Sequence, residues 1–175
     1  MKIACLLGDG FEDSEFQKPY DAYREAGHDV RIIGVEAGTE LKGKKGSVST
    51  KSEAAIADVS PSDFDALFIP GGYSPDHIRA NDRMVDFAGA FMRMDRPVFA
   101  ICHGPQLLIS ADAVRGRRMT AWKTVQGDLR LAGAEVVDEE VCVDGTLVTS
   151  RKPDDIPAFN RESLALLQRQ PTGVS

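Results

Sequence analysis

The feature that most constrains the fold is the alternation of short apolar runs with segments of helical periodicity. Lys2 to Leu7 and Val30 to Val35 are short apolar runs. Between them, Phe16, Tyr20 and Tyr23 are spaced as on one face of a helix. A strand, a helix and a strand in this order predict parallel pairing with a right-handed crossover.

The rest of the chain extends this pattern. Asp65 to Pro70 and Val98 to Ile101 are further strand candidates, and Gly38 to Ser60 predicts a hairpin or an excursion at the sheet edge. Asp144-Gly145, between two β-rich runs, predicts a hairpin with a two-residue turn. We predict one α/β domain over 1–170, a mostly parallel sheet with helices on both faces, and a frayed C-terminal tail at 171–175.

Charge disfavours some partners. The net charge of −6 and the pI of about 5.1 predict repulsion from nucleic-acid phosphates and anionic lipid. The densest basic cluster, Lys42, Lys44 and Lys45, is interpreted as a solvated turn. We therefore expect no nucleic-acid or membrane partner.

Cysteine and histidine spacing disfavours disulfides and metals. The three cysteines have no CxxC spacing, and the three histidines lack the spacing of metal ligands. No apolar run has the length of a signal peptide's core or a membrane span. These features predict a cytoplasmic protein without a metal site.

Three loops follow the carboxyl ends of predicted strands, where sites form in parallel sheets. They are Gly8 to Asp13, Gly71 to Asp76, and Cys102 to Gln106. We expect them to converge and to hold the chemically active residues.

Cys102 is the strongest candidate nucleophile, because it lies where a strand passes directly into a helix. The helix dipole and unpaired N–H groups would lower the pKa of its thiol and favour the reactive thiolate. The alternative is a small buried hydrophobic residue, which is our interpretation of Cys5 and Cys142 inside predicted strands.

Three other groups are candidates around the sulfur. His103 could be a general base or an ion-pair partner, although it meets Cys102 only in a strained turn; otherwise it faces a neighbouring loop. Gly71 and Gly72 offer unobstructed N–H groups for an oxyanion hole. Glu12 could hydrogen-bond the sulfur if protonated, or it could belong to the acidic cap of the first helix, a role that Asp13 and Glu15 fit better.

The segment Ala100-Ile101-Cys102-His103-Gly104-Pro105-Gln106 resembles the nucleophile segment of the PfpI branch of the DJ-1/PfpI family. The spacing of Phe11-Glu12-Asp13, of Phe64 to Leu67 before Pro70-Gly71-Gly72, and of Val143-Asp144-Gly145 is similar too. The resemblance spans Lys2 to about Leu167.

This resemblance implies a flavodoxin-like three-layer αβα sandwich that needs no cofactor. It implies Cys102 as nucleophile, Glu12 as its hydrogen-bonding acid and His103 as catalytic partner. It also implies a homodimer or larger assembly, in which Asp76, replacing a glutamate, approaches His103 of a neighbouring subunit. Trp122 stands where similar peptidases often have tyrosine, as a substrate-binding candidate, and Lys123 follows where proline is common.

Three functions remain open for a small-molecule or peptide substrate. The first is a stress-related glyoxalase or deglycase that acts on reactive dicarbonyls. The second is an intracellular cysteine peptidase. The third is a non-enzymatic redox sensor or chaperone whose Cys102 is oxidised.

Overall fold

A computed structural model describes residues 1–170 of the chain, and its centre is a seven-stranded sheet. The strands along the chain are β1 Lys2–Leu6, β2 Asp29–Gly34, β3 Glu40–Lys42, β4 Ser49–Lys51, β5 Ala54–Ala55, β6 Ala66–Ile69, β7 Val98–Ile101, β8 Arg118–Met119, β9 Glu135–Val136, β10 Cys142–Asp144 and β11 Leu147–Ser150. The order across the sheet is β10-β11-β7-β6-β1-β2-β5. All neighbours are parallel except β10 and β11, so the predicted, mostly parallel sheet is confirmed.

Helices cover both faces of this sheet. They are α1 Asp13–Glu25, α2 Ser74–Ile78, α3 Asp82–Arg93, α4 Pro105–Ser110, α5 Lys123–Leu131 and α6 Ile156–Arg169. Apolar side chains of α1 and α6 pack in one core, and those of α3, α4 and α5 pack in the other. The central strands β1, β6 and β7 are buried on both faces, which is why they are continuous apolar runs in the sequence. The result is a three-layer αβα sandwich.

One predicted element is confirmed and another is shifted by one residue. Gly38 to Ser60 contains the predicted hairpin, β3–β4, which is separate from the central sheet, and β5 joins the sheet edge. The β10–β11 turn consists of Gly145 and Thr146, one residue later than predicted, because Asp144 pairs with Leu147. Gly145 takes a φ of 60°, which glycine adopts at little cost.

Other differences concern lengths. The predicted strand Met119 to Trp122 is reduced to β8, and Glu135 to Val143 divides into β9, which pairs with β8, and β10. The predicted tail at 171–175 lies outside the described residues. No helix within residues 1–170 combines the length and apolar character that a membrane crossing requires.

Candidate active site

The three predicted loops do converge at the carboxyl edge of the sheet. Phe11 forms an antiparallel bridge with Gly72 and a parallel bridge with Gly43. The N–H of Tyr73 donates to the carbonyl of Gly10 at 2.8 Å, and the N–H of Glu12 donates to that of Gly71 at 3.1 Å. The first loop is therefore bound between the Gly71 loop and the β3–β4 hairpin.

Cys102 lies in a sharp turn between β7 and α4. Its φ is 62°, a left-handed conformation that is uncommon for a residue with a side chain. Its N–H donates to the carbonyl of Ser150, and its carbonyl accepts from the N–H of Trp122, both at 2.9 Å. At Gly104 a Cβ would lie 2.6 Å from the carbonyl oxygen of Ile69, so this tight turn requires glycine. Hydrogen bonds on both sides of Cys102 thus hold its strained backbone.

His103 contacts the sulfur directly. Its Nδ1 is 3.3 Å from Cys102 Sγ, as predicted for a strained turn. The imidazole stacks on the indole of Trp122, with ring centroids 6.3 Å apart and an interplanar angle of 26°. Burial and the positive charge of Lys44 lower the pKa of His103, while the charge of Asp76 opposes them. The imidazole is therefore neutral at pH 7 and has a lone pair available.

Glu12 does not lie against the sulfur, which corrects its predicted position. Its carboxylate pairs with Lys44 Nζ at 3.0 Å and with Lys45 Nζ at 3.1 Å. Burial acts to raise the pKa of Glu12, but hydrogen bonds and charges of the two lysines outweigh it and hold the pKa below its ordinary value. Glu12 is therefore a buried, ionised carboxylate that is paired with two lysines.

Glu15 is the carboxyl group that faces Cys102. Its side chain is fully buried, and within residues 1–170 neither carboxyl oxygen has a hydrogen-bond partner of ordinary geometry. The groups that it faces are the thiol of Cys102 and the N–H of Gly71. Burial first, and then the charge of Glu12, raise the pKa of Glu15 to about 8.

Helical spacing is the signal that could have identified Glu15. It precedes the buried Pro19 and Tyr23 by four and eight residues, so it shares their inward face of α1. The capping interpretation assigned it instead to the solvated first turn.

The pKa of the Cys102 thiol is raised, contrary to the prediction from the helix dipole. Burial is the largest cause, followed by the charge of Glu15. The N–H of His103 and the charge of Lys44 act in the opposite direction without overcoming them. Cys102 is buried and its side chain is a thiol at neutral pH, with a titratable carboxyl beside it.

Gly71 lies beside Cys102, whereas Gly72 lies against the loop that contains Phe11 and Glu12. A Cβ on Gly71 would overlap Glu15 Oε1 and lie 2.9 Å from Cys102 Cβ, and its N–H faces Glu15. Gly72 has a φ of 77° and, among the described residues, its N–H donates no hydrogen bond. Of the two predicted oxyanion donors, Gly72 is the one whose N–H is unengaged.

Asp76 lies on α2 and is exposed. Its charge raises the pKa of His103 in the same chain, and it makes no hydrogen bond or ion pair with another residue of 1–170. Its expected approach to a neighbouring subunit stays a prediction.

The residues of this edge include no evident metal site. Within 1–170, no group of three or more His, Cys, Asp or Glu side chains is arranged to hold a metal ion. Cys5, Cys102 and Cys142 are unpaired and buried.

Comparison with curated proteins gives relatives over nearly the whole chain. General stress protein 18 of Bacillus subtilis is 57% identical, covering 96% of this chain and 98% of the relative. Protein/nucleic acid deglycase 2 of Escherichia coli is 56% identical, covering 95% and 97%. A third relative, named "Putative cysteine protease YraA" in Bacillus subtilis, is 54% identical, covering 95% and 98%.

A solved structure and a protein-family description are also similar to nearly the whole chain. A two-domain Anabaena variabilis protein with DJ-1/ThiJ/PfpI-like and ferritin-like domains superposes with a TM-score of 0.93 at 38% identity. The superposition covers 95% of this chain and 48% of that one. Residues 1–166 match the description "DJ-1/PfpI family". The chain therefore belongs to the DJ-1/PfpI family.

Proposed function

We propose that this chain is a cysteine-dependent enzyme that acts on reactive dicarbonyls, or on the groups they modify, with Cys102 as nucleophile. The observation that carries the proposal is the buried Glu15 carboxyl, whose pKa of about 8 lets it exchange a proton with the adjacent thiol near neutral pH. A merely structural cysteine needs no titratable partner.

The first step is attack on an aldehyde. Ionised Glu15 accepts the thiol proton while Cys102 Sγ forms a bond to the aldehyde carbon, and protonation of the resulting alkoxide gives a hemithioacetal. The N–H groups of Gly72 and His103 are the donors available to the oxyanion. Trp122, stacked on His103, is positioned to bound the substrate space on that side.

The second step is an internal redox shift that needs no added oxidant. Neutral His103 removes the proton from the former aldehyde carbon to give an enediol, and reprotonation at the adjacent carbon gives a thioester. Water then cleaves the thioester, releasing a hydroxy acid and the thiol. With methylglyoxal, one substrate molecule and one water give one lactate.

The relatives support this choice. One carries the name protein/nucleic acid deglycase 2 and another general stress protein 18, each over nearly its whole length. We further propose that the enzyme acts in the cytoplasm as a homo-oligomer, in which Asp76 approaches His103 of a neighbouring subunit. The exposure of Asp76 on α2 supports that placement, because its carboxylate is accessible to another chain.

The test is lactate formation from methylglyoxal by the wild type, Cys102→Ser, Glu15→Gln and Glu12→Gln. We expect Cys102→Ser to abolish it, Glu15→Gln to lower kcat at least 100-fold, and Glu12→Gln to retain more activity than Glu15→Gln. Asp76→Ala should lower activity far more than it lowers Tm. Lactate formation that survives in Cys102→Ser would refute the mechanism.

A second candidate is a cysteine peptidase, which the name of the third relative favours. Cys102 would then attack a peptide carbonyl, and His103 would protonate the leaving amine. Cleavage of fluorescent casein without lactate would establish that activity instead. If neither occurs, a gain of two oxygen atoms on Cys102 after mild peroxide would indicate the redox sensor.

A further inference from the structure

A lysine near the sulfur is not used by the mechanism above. The sequence interpretation treated Lys44 as part of a solvated turn, yet its side chain is only 34% exposed. Its N–H donates to the carbonyl of Phe11 at 2.8 Å, within the loop that contacts Gly71 and Gly72. Lys44 is therefore part of the assembled carboxyl edge of the sheet.

Asp13 holds the turn that carries Lys44. Its carboxylate accepts hydrogen bonds at 2.9 Å from the N–H groups of Lys45, Ser47 and Val48, and from the hydroxyl of Ser47. These bonds hold the Asp13 pKa below its ordinary value although burial opposes them. A Cβ on Gly43 would overlap this carboxylate. The β3–β4 turn is thus fixed to the start of α1.

The ammonium group of Lys44 is held at the rim of the site. Its Nζ is 3.0 Å from Glu12 Oε2 and 5.7 Å from the ring centroid of Tyr73. Lys45 shares the Glu12 carboxylate, so one carboxylate faces two ammonium groups. Glu12 neutralises only one of the two ammonium groups, so the cluster of Lys44, Lys45 and Glu12 keeps one net positive charge.

The field of this charge reaches the reactive groups. The charge of Lys44 acts to lower the pKa of His103, and it partly offsets the burial that raises the pKa values of Cys102 and Glu15. Lys45 does not contribute to these three shifts. Of the two lysines, Lys44 is the one whose ammonium lies over the ring of Tyr73, the residue that follows Gly72.

We propose that Lys44 is a substrate-binding residue, and that it favours substrates with a carboxylate or another anionic group close to the carbon that Cys102 attacks. The proposal rests on Cys102 as the reactive thiol, but not on dicarbonyl chemistry. An anion near the sulfur gains Coulomb attraction from a partly buried ammonium that water screens incompletely. A neutral substrate of the same shape gains none.

Two alkylating reagents test this directly. Iodoacetate and iodoacetamide both transfer a two-carbon group to Sγ with loss of iodide, but only iodoacetate is anionic. Rates on Cys102 are measured by intact mass, with Cys102→Ser to identify modification at Cys5 or Cys142. The ratio of the two rates cancels the thiolate fraction and isolates the effect of reagent charge.

We expect Lys44→Gln to lower the iodoacetate/iodoacetamide ratio at least fivefold, and Lys44→Arg, which keeps the charge, to restore most of it. Lys45→Gln is the matched control, with the same charge change one residue away, and it should change the ratio less than twofold. The wild-type ratio should fall as salt rises.

Three results would overturn the inference: an unchanged ratio in Lys44→Gln, an equal fall in Lys45→Gln, or no alkylation of Cys102 by either reagent. Alkylation requires no turnover. A fall in the ratio without lactate formation would therefore preserve the role of Lys44 while refuting the dicarbonyl activity.

Discussion

The Glu15 carboxyl faces the Cys102 thiol across a position, Gly71, that has no side chain to separate them. The two groups belong to α1 and to the turn after β7, which are far apart in sequence. Each is buried; the charge of Glu15 raises the pKa of the Cys102 thiol, whereas the thiol, by its hydrogen bond, lowers the pKa of Glu15. The two groups therefore titrate as a coupled pair. Glu15 loses its proton first as pH rises, and the pH at which it does so sets when a base is available to the thiol.

The pH dependence of thiol reactivity follows from this pair. With the pKa of Glu15 at about 8, the rate of Cys102 alkylation by iodoacetamide should rise as pH increases through that value. In Glu15→Gln this inflection should disappear, because no carboxylate remains to accept the thiol proton. The measurement is a rate profile from pH 6 to pH 10; an inflection near 8 that persists in Glu15→Gln would contradict the assignment.

Stability should depend on Glu15 in the opposite sense to activity. Its pKa rises from an ordinary 4.5 to about 8 on folding, so its stabilising effect is complete below pH 4.5 and is lost as pH rises through 8. The loss is at most about 5 kcal/mol. Denaturant unfolding at pH 6 and pH 9 should show a smaller decrease for Glu15→Gln than for the wild type.

Glu12→Gln is the control for the stability measurement, because the pKa of Glu12 is shifted in the direction opposite to that of Glu15. The pKa of Glu12 is lowered in the folded chain, so its contribution is present above its ordinary pKa and is lost as pH falls through the folded value. Removing it should destabilise the protein at pH 6. If both glutamine variants shift stability in the same direction at pH 9, the two carboxyl environments have been misassigned.

Gly71→Ala should damage the site more than the fold. The new Cβ would overlap Glu15 Oε1 and press on Cys102 Cβ, so the pair must separate. We expect alkylation of Cys102 to slow at least tenfold, with a loss of about 1–3 kcal/mol in unfolding free energy. Gly127→Ala on α5 is the control: nothing lies within 4 Å of its Cβ, and it should stabilise by about 0.5–1 kcal/mol.

Asp13→Ala should release the β3–β4 turn. It removes one carboxylate that accepts four hydrogen bonds, three of them from main-chain N–H groups, and should cost about 2–4 kcal/mol. Trypsin should then cleave after Lys44 or Lys45 faster than in the wild type. Asp21→Ala, an exposed residue of the same helix, should leave both the stability and the cleavage rate nearly unchanged.

The sequence was sufficient to predict the three-layer sandwich and the position of Cys102 at the turn from a strand into a helix. Buried parallel strands are continuous apolar runs, and the passage from β7 into a helix at Cys102 is visible in the residue pattern. The turn at Gly145 was misplaced by one residue because Asp144 and Gly145 both favour turns, and only the pairing of Asp144 with Leu147 decides between them.

The carboxyl group beside Cys102 was misassigned because helix capping and proton exchange both use acidic residues. Glu12 and Glu15 both lie at the start of α1, and an acidic residue there complements the helix dipole. What separates them is tertiary: two lysines from a distant hairpin pair with Glu12, while the inward face of α1 buries Glu15. The same hairpin contact brought Lys44 to the site, which local sequence could not reveal.

The β3–β4 hairpin adds no strand to the central sheet; it is held by the Phe11–Gly43 bridge, by the hydrogen bonds of Asp13 and by the packing of Leu41. Apart from the buried Leu41 and Gly43, its residues are mostly exposed and can vary without altering the packed interior. Among relatives that keep the same residues around Cys102, the β3–β4 hairpin is therefore where substrate preference can change without rebuilding the sheet.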